Sequence, residues 1–262
     1  MARYQVILAY DGTDFDGFQR QAKGIKNRTV QGEIEDALRR IGWQGASILS
    51  AGRTDAGVHA SAQVAAFDFE WKHNSQDLLA ALNANLPGDI AARQVCETRE
   101  DFHPRYDALA RRYRYRIFCD PLRDPLRERY AWRVWPVMDL EQLQRASKLL
   151  LGRHDFGAFG SPPRPQGTTV RCIYQAGWTT NVASEGHTGF VFEVVGNAFL
   201  YRMMRRLVSL QVQIGQGILG IERLAYCLES GEKNLVRTLA PPQGLSLDEV
   251  IYHDPAGLLS VG

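Results

Sequence analysis

Hydrophobic and polar positions alternate along the chain in two distinct periods. Tyr4 to Tyr10 is short, apolar and rich in β-formers, and it stops at Asp11-Gly12-Thr13, the pattern of a strand running into a loop. Val30, Ile34, Ala37, Leu38 and Ile41 then recur at helical spacing, with Thr29 placed to cap the helix and Gly42 to end it. Strands are predicted at Ala46 to Ala51 and Ala62 to Phe69. A second helix follows from Ser75 to Asn85, closed by Leu86-Pro87-Gly88, and then a strand at Ile90 to Glu97. The order β-α-β-β-α-β is that of a split βαβ, or ferredoxin-like, unit.

From Ala110 the alternation begins again. It predicts a strand through Phe118, a helix from Leu140 to Leu151 capped by Asp139 and ended by Gly152, and strands at Val170 to Trp178 and Gly189 to Val195. Helices from Phe199 to Ile214 and Glu222 to Glu229 precede a last strand at Leu245 to His253. The expected architecture is α+β: two ferredoxin-like (split βαβ) halves with antiparallel or mixed sheets, residues 1–108 and 109–262, and an active cleft between them. No sequence repeat links the halves, and Ser161-Pro162-Pro163-Arg164-Pro165 reads as an exposed loop rather than a linker.

Composition narrows the class. With 45% hydrophobic residues in 262, the chain can bury one large core or two smaller ones. Its net charge is only +2, so a polyanion partner is not announced globally. Locally it is. Arg105 to Arg133 holds nine arginines against Asp107, Asp120, Asp124 and Glu128. On a strand, Arg112, Arg114 and Arg116 share one face while Arg111, Tyr113, Tyr115 and Ile117 share the other. Such a surface suits RNA, whose phosphates attract arginine and whose unstacked bases need a ring; an ordinary solvated face over a core has the same pattern.

Cys96, Cys119, Cys172 and Cys227 form no C-x-x-C pair, and no H-E-x-x-H string occurs, so neither a metal site nor a disulfide framework is expected. The N-terminus lacks a signal-peptide stretch and charged or amide residues interrupt each long apolar run, so no membrane association and a cytoplasmic location are expected. Gly215-Gln216-Gly217-Ile218-Leu219-Gly220 matches G-x-G-x-x-G but follows a helix rather than a strand, which makes it a helix end. Asp11-Gly12-Thr13 lacks the first Asp of the D-x-D-G-T phosphatase loop, because Ala9 stands there. His59 and His154 receive no proton-transfer role.

The densest candidate chemistry is Gly52-Arg53-Thr54-Asp55-Ala56-Gly57-Val58-His59, a carboxylate flanked by a cation, a hydroxyl and two glycines between two strands. Physics alone leaves two readings: a turn in which Asp55 caps amides and pairs with Arg53, or a presented catalytic carboxylate. These eight contiguous residues resemble the catalytic signature of the TruA family of pseudouridine synthases. The resemblance extends through Tyr10-Asp11-Gly12-Thr13, Phe18-Gln19-Arg20-Gln21, Asn83 to Ile90, Phe102-His103 with Arg105, and Arg112-Tyr113-Arg114-Tyr115. It continues through His154-Asp155-Phe156, Thr169-Val170-Arg171, Asn197-Ala198-Phe199 with Met204-Arg205, and Gly244-Leu245.

The resemblance implies an isomerase that breaks the N1 glycosidic bond of uridine, turns the uracil and rejoins it through C5, on the 3′ side of the anticodon stem-loop of tRNA. It implies Asp55 as the essential carboxylate, Arg205 as its cation, Tyr113 as the ring against the target uracil, and Arg53, Arg112, Arg114 and Leu245 as substrate contacts. It further implies a homodimer sharing one tRNA, with neither metal nor organic cofactor. Ser246, where many relatives carry an aromatic residue, and Tyr201-Arg202 depart from the pattern.

Overall fold

The computed structural model describes residues 1–20, 27–162, 164, 166–182, 188–254 and 259; Gln21, Pro163 and Pro165 lie outside the described residues. The protein forms two compact units, one of Met1–Leu109 with Ser246–Tyr252, the other of Ala110–Leu245 and the residues from His253.

In the first unit, β1 (Ala2–Tyr10) turns Tyr4, Val6, Leu8 and Tyr10 inward at every second position. Helix α1 (Val30–Arg40) is capped by Thr29, whose hydroxyl accepts from Gly32 N–H, and buries Val30, Ile34, Ala37 and Leu38. It closes on Gly42 at φ 100, with Gly42 N–H donating to Arg39 O and Trp43 N–H to Leu38 O, the paired bonds of a Schellman motif. Next come β2 (Leu49–Ser50), β3 (His59–Phe69), α2 (Ser75–Asn85), whose cap is Asn74, and β4 (Ile90–Thr98). β1 lies antiparallel between β3 and β4, and β2 pairs antiparallel with β3, so the expected β-α-β-β-α-β succession is present.

One strand is shorter than its sequence predicts. Residues 46–51 reduce to β2 because Ile48 N–H donates to Glu35 Oε1 at 3.1 Å instead of entering the ladder. Glu35 is wholly buried and also accepts from Gln31, Ser47 and Arg39, with Arg20 at 3.1 Å. A carboxylate so placed is stabilised only by such a full set of donors.

The second unit contains β5 (Ala110–Cys119), α3 (Pro125–Glu128), β6 (Trp132–Val134), α4 (Leu140–Lys148), β7 (Gly152–Asp155), β8 (Val170–Val182), β9 (Thr188–Gly196), α5 (Met203–Gly215) and α6 (Glu222–Glu229). Its sheet runs β5-β9-β8-β7, antiparallel throughout, with β6 parallel on β5. Trp178 stacks on Phe192 at 5.0 Å and donates to Gln211 Oε1 at 2.9 Å, anchoring α5 to the sheet. The short elements α3, β6 and β7 are absent from the sequence prediction. α4 ends at Lys148 rather than Leu151, as the chain tightens through Leu150 N–H to Ser147 O and Leu151 N–H to Lys148 O, then turns at Gly152 with φ 92. α5 begins at Met203 rather than Phe199, because Arg202 is left-handed at φ 62 and Tyr201 N–H bonds across to Ser161 O. The last strand, β10 (Leu245–Ile251), pairs parallel with β3 through Ser246 to His59 and Leu247 to Ala60.

Both units are therefore α+β, with mixed sheets and helices. Among the described residues no helix is long and apolar enough to cross a membrane.

Candidate active site

The loop carrying Asp55 leaves β2 and enters β3, and it is clamped from behind by the loop after β1. Phe18 N–H donates to Thr54 O at 3.1 Å, Gly57 N–H to Phe15 O at 3.2 Å, and Tyr10 Oη lies 2.9 Å from Thr54 Oγ1. Gly12 N–H donates to His59 Nδ1 at 3.0 Å, with Asp11 Oδ1 3.2 Å from the same nitrogen. The approach of the two loops requires glycine: a Cβ on Gly12 would sit 2.0 Å from Val58 O, and one on Gly17, at φ 99, 2.8 Å from Thr54 O. Gly57 takes φ 77, whereas Gly52 contributes its carbonyl, which accepts from Gln63 Nε2 at 2.9 Å.

A third layer holds the clamp. Arg28 forks onto Asp89 at 2.6 and 3.0 Å while lying 4.2 Å over the Phe15 ring, and Asp11 N–H donates to Asp89 O. The blocks Tyr10 to Thr13 and Asn83 to Ile90 thus act as the frame of the Asp55 loop. In that frame Thr54 and His59 are buried, Asp55 is partly exposed and Arg53 is exposed. Arg53 forms no ion pair among the described residues, so the turn in which it pairs with Asp55 is not formed. His59 serves as a loop anchor.

In the second unit, Arg205 lies in the first turns of α5 and is held by a reciprocal clasp. Its Nε donates to Ala240 O at 2.7 Å, and Ala240 N–H donates to Arg205 O at 3.0 Å. Beside this clasp, Tyr115 is fully buried and donates its hydroxyl to Pro241 O at 2.7 Å. Burial pushes the Tyr115 phenol well above its ordinary range, against the opposing charge of Arg205. Gly244 packs on the Tyr115 ring, where an added Cβ would lie 2.6 Å away, and Leu245 follows it, buried. The segment Ala240–Leu245 therefore ties Arg205, Tyr115 and Leu245 to one neighbourhood. Tyr113 is buried edge-on against Phe199 at 5.0 Å, and Arg111 donates to Asn197 O at 2.8 Å.

The strand alternation of β5 is as its pattern predicts: Arg112, Arg114 and Arg116 are part-exposed while Arg111, Tyr113, Tyr115 and Ile117 are buried. The cationic face is partly neutralised. Glu193 on β9 stands opposite Arg114 in register, accepts from Arg114 Nε at 2.7 Å and also takes a hydrogen bond from Arg112 Nη1. Burial pushes the Glu193 carboxyl up, but its bonds and charge pairing with Arg114 and Arg112 outweigh this and hold it below the ordinary carboxylate range. No sequence signal marks Glu193, since only the β5–β9 register brings it there. The G-x-G-x-x-G stretch is the end of α5, with Gln216 N–H on Val212 O and Gly217 at φ 70. No group of three or more His, Cys, Asp or Glu side chains able to hold a metal occurs among the described residues.

The model of a family described as tRNA pseudouridine synthase matches residues 6–107 and 146–253. Those stretches contain Asp55, Arg205 and Leu245 and omit Tyr113, Arg112 and Arg114. A tRNA pseudouridine synthase A of Streptococcus equi subsp. equi is 39% identical over 256 residues, covering 97% of this chain and 100% of the relative. Proteins of the same name from Limosilactobacillus fermentum and Myxococcus xanthus are 36% and 40% identical, each covering at least 97% of this chain and 98% and 93% of their own lengths. Identity of this order over nearly the whole length, together with the matching family model, assigns the chain to the tRNA pseudouridine synthase family, whose members are isomerases.

Proposed function

We propose that this protein converts uridine to pseudouridine on the 3′ side of the anticodon stem-loop of tRNA. The N1–C1′ bond breaks, the freed uracil turns, C5 bonds to C1′, the C5 proton leaves and N1 takes one up, so the reaction balances without oxidant, phosphoryl donor or cofactor. Asp55 is the nucleophile or base, Arg205 its cation, and Tyr113 the ring against the uracil. Arg53 meets the RNA backbone at the exposed side of the loop, Arg112 and Arg114 meet further phosphates, and Leu245 lines the base pocket. A homodimer sharing one tRNA, in the cytoplasm, completes the reading.

The observation that carries it is the Asp55 loop itself, a partly exposed carboxylate on a backbone fixed by Gly12, Gly17 and Tyr10. A rigid frame around an accessible carboxylate supports catalysis more than it supports a plain turn. The test is incubation with unmodified tRNA and mapping of pseudouridine by carbodiimide and reverse transcription. The parent is expected to modify the anticodon arm alone, and Asp55→Asn to give no product while binding tRNA within a few-fold of the parent. Product elsewhere on the tRNA, or turnover by Asp55→Asn, would refute the assignment.

A further inference from the structure

The start of α5 carries cations that the reaction above does not use. Tyr201 and Arg202 form the corner before the helix, and Arg206 lies in its first turns. Arg202 sits at φ 62, a conformation that side-chain-bearing residues rarely adopt. The corner is pinned: Tyr201 N–H donates to Ser161 O at 3.0 Å, and an added Cβ on Gly160 would meet Tyr201 O at 2.6 Å. The guanidinium of Arg202 lies 4.8 Å over the exposed Tyr201 ring. Stacking of that kind leaves the in-plane N–H groups free to fork onto an anion.

Arg206 is only part-exposed. Its Nη1 donates to the neutral Asn234 Oδ1 at 3.0 Å, and its Nε is buried with no partner among the described residues. Burial first, and the charge of Arg202 second, lower its pKa from the ordinary arginine range. Neither Arg202 nor Arg206 forms an ion pair among the described residues. The first turn of α5 holds no acid, so the helix dipole adds to the positive field rather than opposing it. Two adjacent cations, one half-buried with an unpartnered N–H, on a strained and pinned corner are unfavourable in the protein alone. An anion between them would offset the repulsion between the two charges.

We infer that Arg202 and Arg206, beside the ring of Tyr201, form a binding site for a backbone phosphate of the RNA substrate, separate from the arginine face of β5. The inference rests on the tRNA reading above. Its test uses the Asp55→Asn protein, so that binding is measured without turnover, and compares it with the same protein carrying Arg202→Asn and Arg206→Gln. Asn is chosen at 202 because it tolerates the left-handed backbone. The log–log salt dependence of tRNA affinity is expected to flatten by about 0.7 to 0.9, the contribution of one phosphate contact. Millimolar inorganic phosphate is expected to raise the melting temperature of the parent and leave that of the double variant unchanged.

An unchanged salt slope in a variant that melts like its parent, or phosphate stabilisation equal in both proteins, would overturn the site. If the double variant fails to fold, Arg202→Asn alone, at an exposed side chain, carries the same salt-slope test. If the Asp55→Asn parent does not bind tRNA at all, the substrate reading fails, and the RNA assignment of this site falls with it; phosphate stabilisation lost in the variant would then identify a free-anion site.

Discussion

Gly12→Ala tests whether the clamp behind the Asp55 loop positions the carboxylate. The new Cβ would lie 2.0 Å from Val58 O, where ordinary contact begins near 3.4 Å, so the two loops must part by more than an ångström. Backbone cannot swing aside as a flexible side chain would. Overpacking of this kind costs about 1–3 kcal/mol, and loss of the Gly12 N–H to His59 bond adds about 1 kcal/mol. For a chain of this size the melting temperature should fall on the order of 5–10 °C. Displacement of a catalytic group by about an ångström costs roughly 10²-fold in rate. The assay is single-turnover pseudouridine formation at saturating tRNA, with thermal melting in parallel. Gly42→Ala is the control: at φ 100, with nothing within 4 Å, it should lose about 1–2 kcal/mol through backbone strain and leave the rate untouched. If Gly12→Ala turns over within a few-fold of the parent, the clamp does not position Asp55 and the argument from it collapses.

Arg112→Ala, Arg114→Ala and Arg116→Ala together should weaken tRNA binding and flatten its salt dependence by about 0.7 to 0.9 per lost contact, whereas Glu193→Gln, which releases two of those cations, should tighten binding; filter binding across salt that shows neither change would mean this face does not meet RNA. Tyr115→Phe leaves Pro241 O without its donor and should cost about 1–3 kcal/mol in urea unfolding; an unchanged midpoint would show that the carbonyl finds another partner. Acid should destabilise the fold. Asp68 is lowered by its bonds to Arg3, and Glu193 by Arg114 and Arg112. Folded values below unfolded ones mean that both contributions are present above the unfolded pKa of about 4 and are lost as pH falls through the folded values. Urea midpoints between pH 7 and 3 should drop less steeply in Asp68→Asn than in the parent, and identical slopes would remove Asp68 from the account.

The elements that could be read from residues are those whose signals are local. Thr29 and Gly42 bracket α1 because a cap and a left-handed exit depend on a few neighbouring atoms. The inward Tyr113 and Tyr115 and the outward Arg112 and Arg114 follow from the two-residue period of any strand. Asp55 stood out through the residue types around it and a family resemblance, and the full-length relatives place the chain in that family. What could not be read depends on partners distant in sequence. β2 is cut short by the carboxylate of Glu35, α5 starts late because Tyr201 bonds to Ser161, and short β7 exists only through its ladder to β8.

Local periodicity and turn chemistry, carried by neighbouring residues, determined from sequence alone which faces of each element are apolar, which are cationic, and which loop bears the carboxylate. Tertiary structure alone decided that Glu193 lies opposite Arg114, that Gly12 and Gly17 press against the Asp55 loop, and that Ala240 clasps Arg205. The physical reason is that register and loop-to-loop packing are set by contacts between segments far apart along the chain, which a pattern of neighbours does not encode.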